Sequence, residues 1–268
     1  MLASILAGLL SLSHPQASPA CEPISGWEEL MDERNARYLV VGEVHGTTEM
    51  PAIFADVVCL EAMDAPVAVA LEVPDLDQPL IDVFLASDGG PEARADLLQS
   101  LWFQNEFKDG RSSTAMLDLM EALRQMYQAG AVTGVTAFQP VGGRSEMSSA
   151  TYEQMLAEFA MGASTDDERV LILVGNTHAR TAAVTFGDRT YLPMAATMPR
   201  EETLSLIIRE NGGESWNCTG NPVTCGVSGW SGPETPFARR VTLSDDPQFP
   251  WDAMLYLGRP TTASLPAE

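Results

Sequence analysis

YLVVGEVH (residues 38–45) and VLILVGNTH (residues 170–178) each carry a β-branched, aliphatic run into a Gly-x-x-His tetrad. Short apolar runs that stop at glycine read as buried strands passing into a loop, and ligands of open α/β sheets bind outside the carboxyl ends of such strands. His45 and His178 are therefore expected to reach one crevice. The chain has a single further histidine, His14, which falls in a leader-like segment, so the two tetrads use every histidine of the expected mature protein.

Working outward, residues 67–73 read VAVALEV, apolar apart from Glu72, the pattern of a strand covered on both faces. Residues 132–138 read as a third strand. Helical spacing occupies 50–63, 75–86, 91–101 and 112–129, the last with serine at its start and Gly130 just past its end. Gly142, Gly143 and Arg144 turn the chain into a helix over 147–161, and an acidic loop at 165–168 precedes the fourth strand. Strands alternating with helices imply right-handed βαβ units. The expected fold is an α/β layered sandwich with a central, mainly parallel (mixed) sheet flanked by helices. Residues 204–209 and 253–257 read as later strands, with 239–243 an edge piece, and antiparallel pairing is open to them.

The chain has 268 residues, 45% of them hydrophobic, enough for one substantial core over residues 21–268. With 37 acidic against 15 basic residues and a net charge of −22, there is no basic stripe for phosphates or anionic lipid. Nucleic acid and membrane surfaces are excluded as expected partners; a small molecule is expected instead. Residues 1–12 are apolar apart from Ser4 and Ser11, too short to span a bilayer, and small residues at 17–20 follow. Residues 1–20 therefore read as a secretion signal, and the protein as exported to a periplasmic or extracellular space rather than anchored through Cys21. The even set Cys21, Cys59, Cys218 and Cys225 fits disulfides in such a compartment, with Cys218–Cys225 a local pair and Cys21–Cys59 the remainder.

Each early strand ends in polar groups: Glu43 and His45, then Glu72, then Gln139, then Asn176 and His178. An imidazole beside carboxylates can deprotonate water, and two imidazoles with a carboxylate could hold a divalent metal. Gly42 and Gly175 are expected to let the backbone turn sharply at the strand ends. Glu72 inside an apolar strand is costly to bury unless paired or functional, with Arg111, Arg144 and Arg180 as structural partners to weigh against a catalytic role. Arg111 is a candidate to reach a substrate oxyanion, with Asn176 beside it as a substrate-binding group, and Glu49 reads as an N-terminal helix charge. No G-x-S-x-G elbow, H-E-x-x-H, Walker A or G-x-G-x-x-G after a strand occurs.

GEVHGTTEMP (42–51), ALEVP (70–74), GRSSTAM (110–116), VGNTHAR (174–180) and DAMLYLG (252–258), in that order, resemble the erythromycin esterase, ChaN and Tiki-like superfamily, closest to its ChaN-like branch. The resemblance implies an α/β sandwich with a site built from Glu43, His45, Glu72 and His178. It further implies one of three chemistries: a metal-free histidine base acting on water, a divalent-metal hydrolase, or haem binding. The extra histidines that follow the first motif in the haem-binding member are absent here. The leading expectation is an exported hydrolase of ester- or amide-like bonds acting through His45, with His178 and Asn176 stabilising developing charge. The alternative is a haem- or metal-binding uptake protein without turnover.

Overall fold

The computed structural model describes residues 21–141, 147–164, 168–220, 222–232 and 238–268. The leader at 1–20, the turn at 142–144 with Arg144, and the acidic loop at 165–167 lie outside the described residues. In chain order the elements are α1 (Trp27–Arg34), β1 (Tyr38–Glu43), α2 (Glu49–Glu61), β2 (Val67–Pro74), α3 (Gln78–Ala86), α4 (Pro91–Leu97), α5 (Leu101–Gln104), α6 (Thr114–Gln128), β3 (Val132–Gln139), α7 (Ser149–Met161), β4 (Val170–Gly175), β5 (Val184–Phe186), β6 (Arg189–Tyr191), α8 (Met194–Thr197), β7 (Thr203–Arg209), β8 (Gly212–Thr219), β9 (Thr224–Ser231), β10 (Arg240–Leu243) and β11 (Ala253–Tyr256).

Seven strands form one sheet in the order β10-β11-β7-β1-β4-β2-β3. The fold class follows the expectation: a mixed, mostly parallel sheet with helices on both faces. Strand alternation assigns the faces. Leu39, Val41, Val69, Leu71, Leu171 and Leu173 join α2, α3 and α6 in one buried cluster, whereas Val40, Ala68, Ala70, Ile172 and Val174 join α7 and α8 in the other. Each fully buried aliphatic side chain contributes roughly 1.5–3 kcal/mol over an exposed one.

The structure corrects two expectations and adds a helix in a stretch to which the sequence assigned no element. Residues 203–209 and 253–256 pair parallel, β7 on β1 (Tyr38↔Thr203) and β11 on β7 (Ala253↔Leu206), so within the seven-stranded sheet only β10 on β11 is antiparallel. The chain leaving β4 passes through α8 and re-enters from the end where β1 begins, which forces parallel pairing. The acidic stretch before β1 is a helix, α1, because Trp27 and Leu30 bury one side of it and Trp27 Nε1 donates to Glu61 Oε1 at 2.6 Å. Gly42 and Gly175 do not make turns: both lie within strands, and neither has a positive φ.

Both expected disulfides form, Cys21–Cys59 and Cys218–Cys225. The second joins directly opposed residues of the β8–β9 hairpin, which lies outside the main sheet. Among the described residues no helix is long and apolar enough to cross a membrane.

Candidate active site

The carboxyl ends of β1, β2 and β4 are adjacent, so the loops after them share one edge. Register pairs Glu43 with Gly175, staggering the two tetrads by one residue. The His178 N–H donates to the Gly175 carbonyl at 2.9 Å, closing a tight turn after β4. Gly175 matters for a different reason from the expected one. A Cβ there would stand 2.9 Å from His45 Nε2 and 3.4 Å from Glu72 Oε2, so the missing side chain is the space the imidazole occupies. Gly42 likewise clears room for Ala179 and for the Asn176 backbone.

Glu72 is the centre of the cluster. Its side chain is 6% exposed; Oε2 accepts from the Gly175 N–H at 2.8 Å, and Oε1 accepts from Arg111 Nη1 at 3.2 Å. His45 Nε2 stands 3.7 Å from Oε2 and His178 Nε2 stands 3.9 Å from Oε1. These last separations exceed hydrogen-bond length, so Glu72 acts on both rings through its charge. The far side of each ring is fixed by another carboxylate: His45 Nδ1 lies 2.8 Å from Glu43 Oε1, and His178 Nδ1 lies 2.8 Å from Glu153 Oε2. An ionised carboxylate only accepts, so each Nδ1 carries a hydrogen and each Nε2 is the basic nitrogen of the neutral ring.

The sequence-derived residues Glu43, His45, Glu72, Arg111 and His178 thus meet in one cluster. Glu43, His45, Asn176 and His178 line a cavity of about 300 Å³ there. Arg111 is not swung free: Asp109 accepts from its Nη2 at 2.7 Å, and Trp102 Nε1 donates to its carbonyl at 2.6 Å, anchoring the guanidinium beside Glu72. The Asn176 side chain accepts from Thr177 Oγ1 at 3.3 Å, and its backbone N–H donates to the Glu43 carbonyl. Glu49 is structural, holding Thr262 through both carboxylate oxygens. Sequence reasoning missed Glu153 and Asp109. Glu153 left a signal, since it lies on the inward stripe of α7 with Leu156, Ala157 and Ala160, where a carboxylate is out of place.

Burial alone would raise the Glu72 pKa, but the charges of His178, His45 and Arg111 and the Gly175 N–H outweigh it and hold the carboxyl down to about 2. For His45, burial pulls the other way from the Glu43 hydrogen bond and the Glu43 and Glu72 charges. The carboxylates prevail, and the ring keeps its proton above the usual 6.5. His178 is raised likewise: Glu72 and Glu153 overcome burial and the opposing charge of His45.

The donor set does not suit a metal ion. Among the described residues no group of three or more His, Cys, Asp or Glu is arranged to hold one, and both Glu72 oxygens are already taken, one of them by a guanidinium.

No family model matches the chain, and no curated protein matches it in sequence. Solved structures do match in fold. A mutant of erythromycin esterase EreC in its open conformation superposes with a TM-score of 0.65 at 12% identity, covering 89% of this chain and 94% of that one. A succinoglycan biosynthesis protein gives 0.63 at 11% over 92% and 93%, and a protein from Bacillus cereus gives 0.60 at 10% over 90% and 93%. The chain shares the fold of these proteins over nearly their full lengths.

Proposed function

We propose that this chain is an exported hydrolase of ester- or amide-like bonds, a member of the erythromycin esterase, ChaN and Tiki-like superfamily, in which His45 is the general base. The observation that carries this reading is the Glu43–His45 dyad. Its carboxylate fixes the ring and leaves Nε2 as the basic atom at the rim of the cavity. Neutral His45 takes a proton from water as the water attacks the scissile carbonyl. His178, kept protonated by Glu153 and Glu72, and Asn176 line the cavity in which negative charge develops on the carbonyl oxygen. The proton held on His45 then passes to the leaving group. The ordered sequence motifs and the shared fold with the esterase support the superfamily; the leader-like residues 1–20 and two disulfides support export. The Cys21 sulfur is bonded to Cys59, which leaves no thiol for lipid attachment.

The test is turnover of a panel of p-nitrophenyl esters and aryl amides by the wild type and His45→Ala. The variant should lose about a hundredfold or more in kcat/KM, and the wild-type rate should climb with pH along a limb centred above 6.5, because the base works only when neutral. A His45→Ala protein that matches the wild type on every accepted substrate refutes the assignment.

A further inference from the structure

Next to the histidine cluster, on the α7 side, lies a second cavity of about 520 Å³. His178 is in the wall it shares with the 300 Å³ cavity. The remaining walls come from the start of α7 and from the β5–β6 hairpin, with Tyr152, Arg180, Phe186, Arg189 and Tyr191 among the lining residues.

Its lining brings two arginines, Arg180 and Arg189, together in an otherwise acidic molecule. In a chain of net charge −22, many arginines find carboxylates: Arg94 and Arg124 on Glu121, Arg169 on Glu61, Arg200 on Asp252, Arg239 on Glu22 and Asp56. Arg180 and Arg189 pair with no carboxylate among the described residues. Arg180 is partly buried, its guanidinium lies 5.0 Å from the Trp251 ring centroid, and its Nε is sealed from solvent without an acceptor. The rest of its guanidinium, the terminal nitrogens included, has no carboxylate partner and is the part an incoming oxyanion would meet. Among the described lining residues the one carboxylate, Glu153, already serves His178 Nδ1 and the Met194 N–H. The cavity also carries apolar surface in Phe186, 80% exposed on a hairpin that pairs with no other strand.

We propose that this cavity is the specificity subsite, taking a flat apolar or aryl portion of the substrate that bears a carboxylate or phosphate. Arg180 and Arg189 hold the oxyanion, Phe186 and Tyr191 cover the apolar part, and the attached scissile bond is placed beyond His178, within reach of His45. The substrate role rests on the hydrolase reading; the anion binding does not.

The experiment measures binding directly through tryptophan fluorescence, with Trp251 under Arg180 as reporter. The probes are benzoate, phenyl phosphate and the neutral isostere benzamide, titrated into the full protein, Arg180→Gln and the exposed-site variant Arg189→Gln. Saturable binding of benzoate or phenyl phosphate, about tenfold weaker or more in each variant, with benzamide bound poorly by all three, is the expected result. If benzoate binds while no ester is turned over, the subsite stands and the hydrolase reading falls. The proposal is overturned if neither anion saturates, if benzamide binds as tightly as benzoate, or if both folded variants keep wild-type affinity for the anions.

Discussion

At residue scale, Gly175 shows how closely the site is fitted. Its missing Cβ is what lets His45 Nε2 approach Glu72, with backbone strain playing no part, since its φ is unexceptional. Gly175→Ala should therefore swing the imidazole off Glu43 and lower kcat/KM by about tenfold or more, while thermal unfolding moves by only a few degrees. A variant with full activity would mean that the ring position is not critical. Charge follows the same economy of space: four carboxylates, two imidazoles and one arginine occupy a cluster in which Glu72 touches or faces every cation. Because both histidines are raised, their contribution to stability is complete below 6.5 and disappears as pH climbs through the raised values. Over that same window catalysis gains as His45 becomes neutral and loses as His178 gives up its proton, so the rate should pass through a maximum.

At the scale of elements, loops rather than strands complete the site, and the chain fastens them twice over. Gly46, at a φ of 76°, gives its carbonyl to the N–H groups of Trp216 and Ser264, so β8 and the C-terminal segment both clamp the loop that carries His45. Two disulfides secure the periphery. Cys21–Cys59 closes a separation of 38 residues and Cys218–Cys225 one of only 7. Loop-closure entropy assigns the first about 4 kcal/mol and the second about 2.5 kcal/mol. Urea unfolding of the double serine variants should show the larger loss for Cys21/Cys59, and an equal or reversed order would contradict the entropic account.

At the scale of the molecule, the first four strands of the main sheet were legible, because short β-branched apolar runs without alternation report a strand covered on both faces. So was the meeting of Glu43, His45, Glu72 and His178, which follows once parallel strands place their ends on one edge. The direction of β7 and β11 was not legible, since a strand's side chains look alike whichever way the chain enters the sheet. Asp109 escaped because a loop carboxylate beside an arginine is the commonest of surface patterns. Glu153 was readable in principle from the α7 stripe, yet its partner His178 lies 25 residues away and only the packed fold joins them. The proposed chemistry depends on two dyads, Glu43–His45 and Glu153–His178, sharing the Glu72 carboxylate. Protein beginning at Cys21 keeps only His45 and His178, so its imidazole proton resonances followed by NMR through a pH titration report the two rings alone. Both should titrate above 6.5, and Glu72→Gln should lower both together. A ring that titrates at or below 6.5 in the wild type, or a Glu72→Gln protein in which only one ring moves, would contradict the shared site.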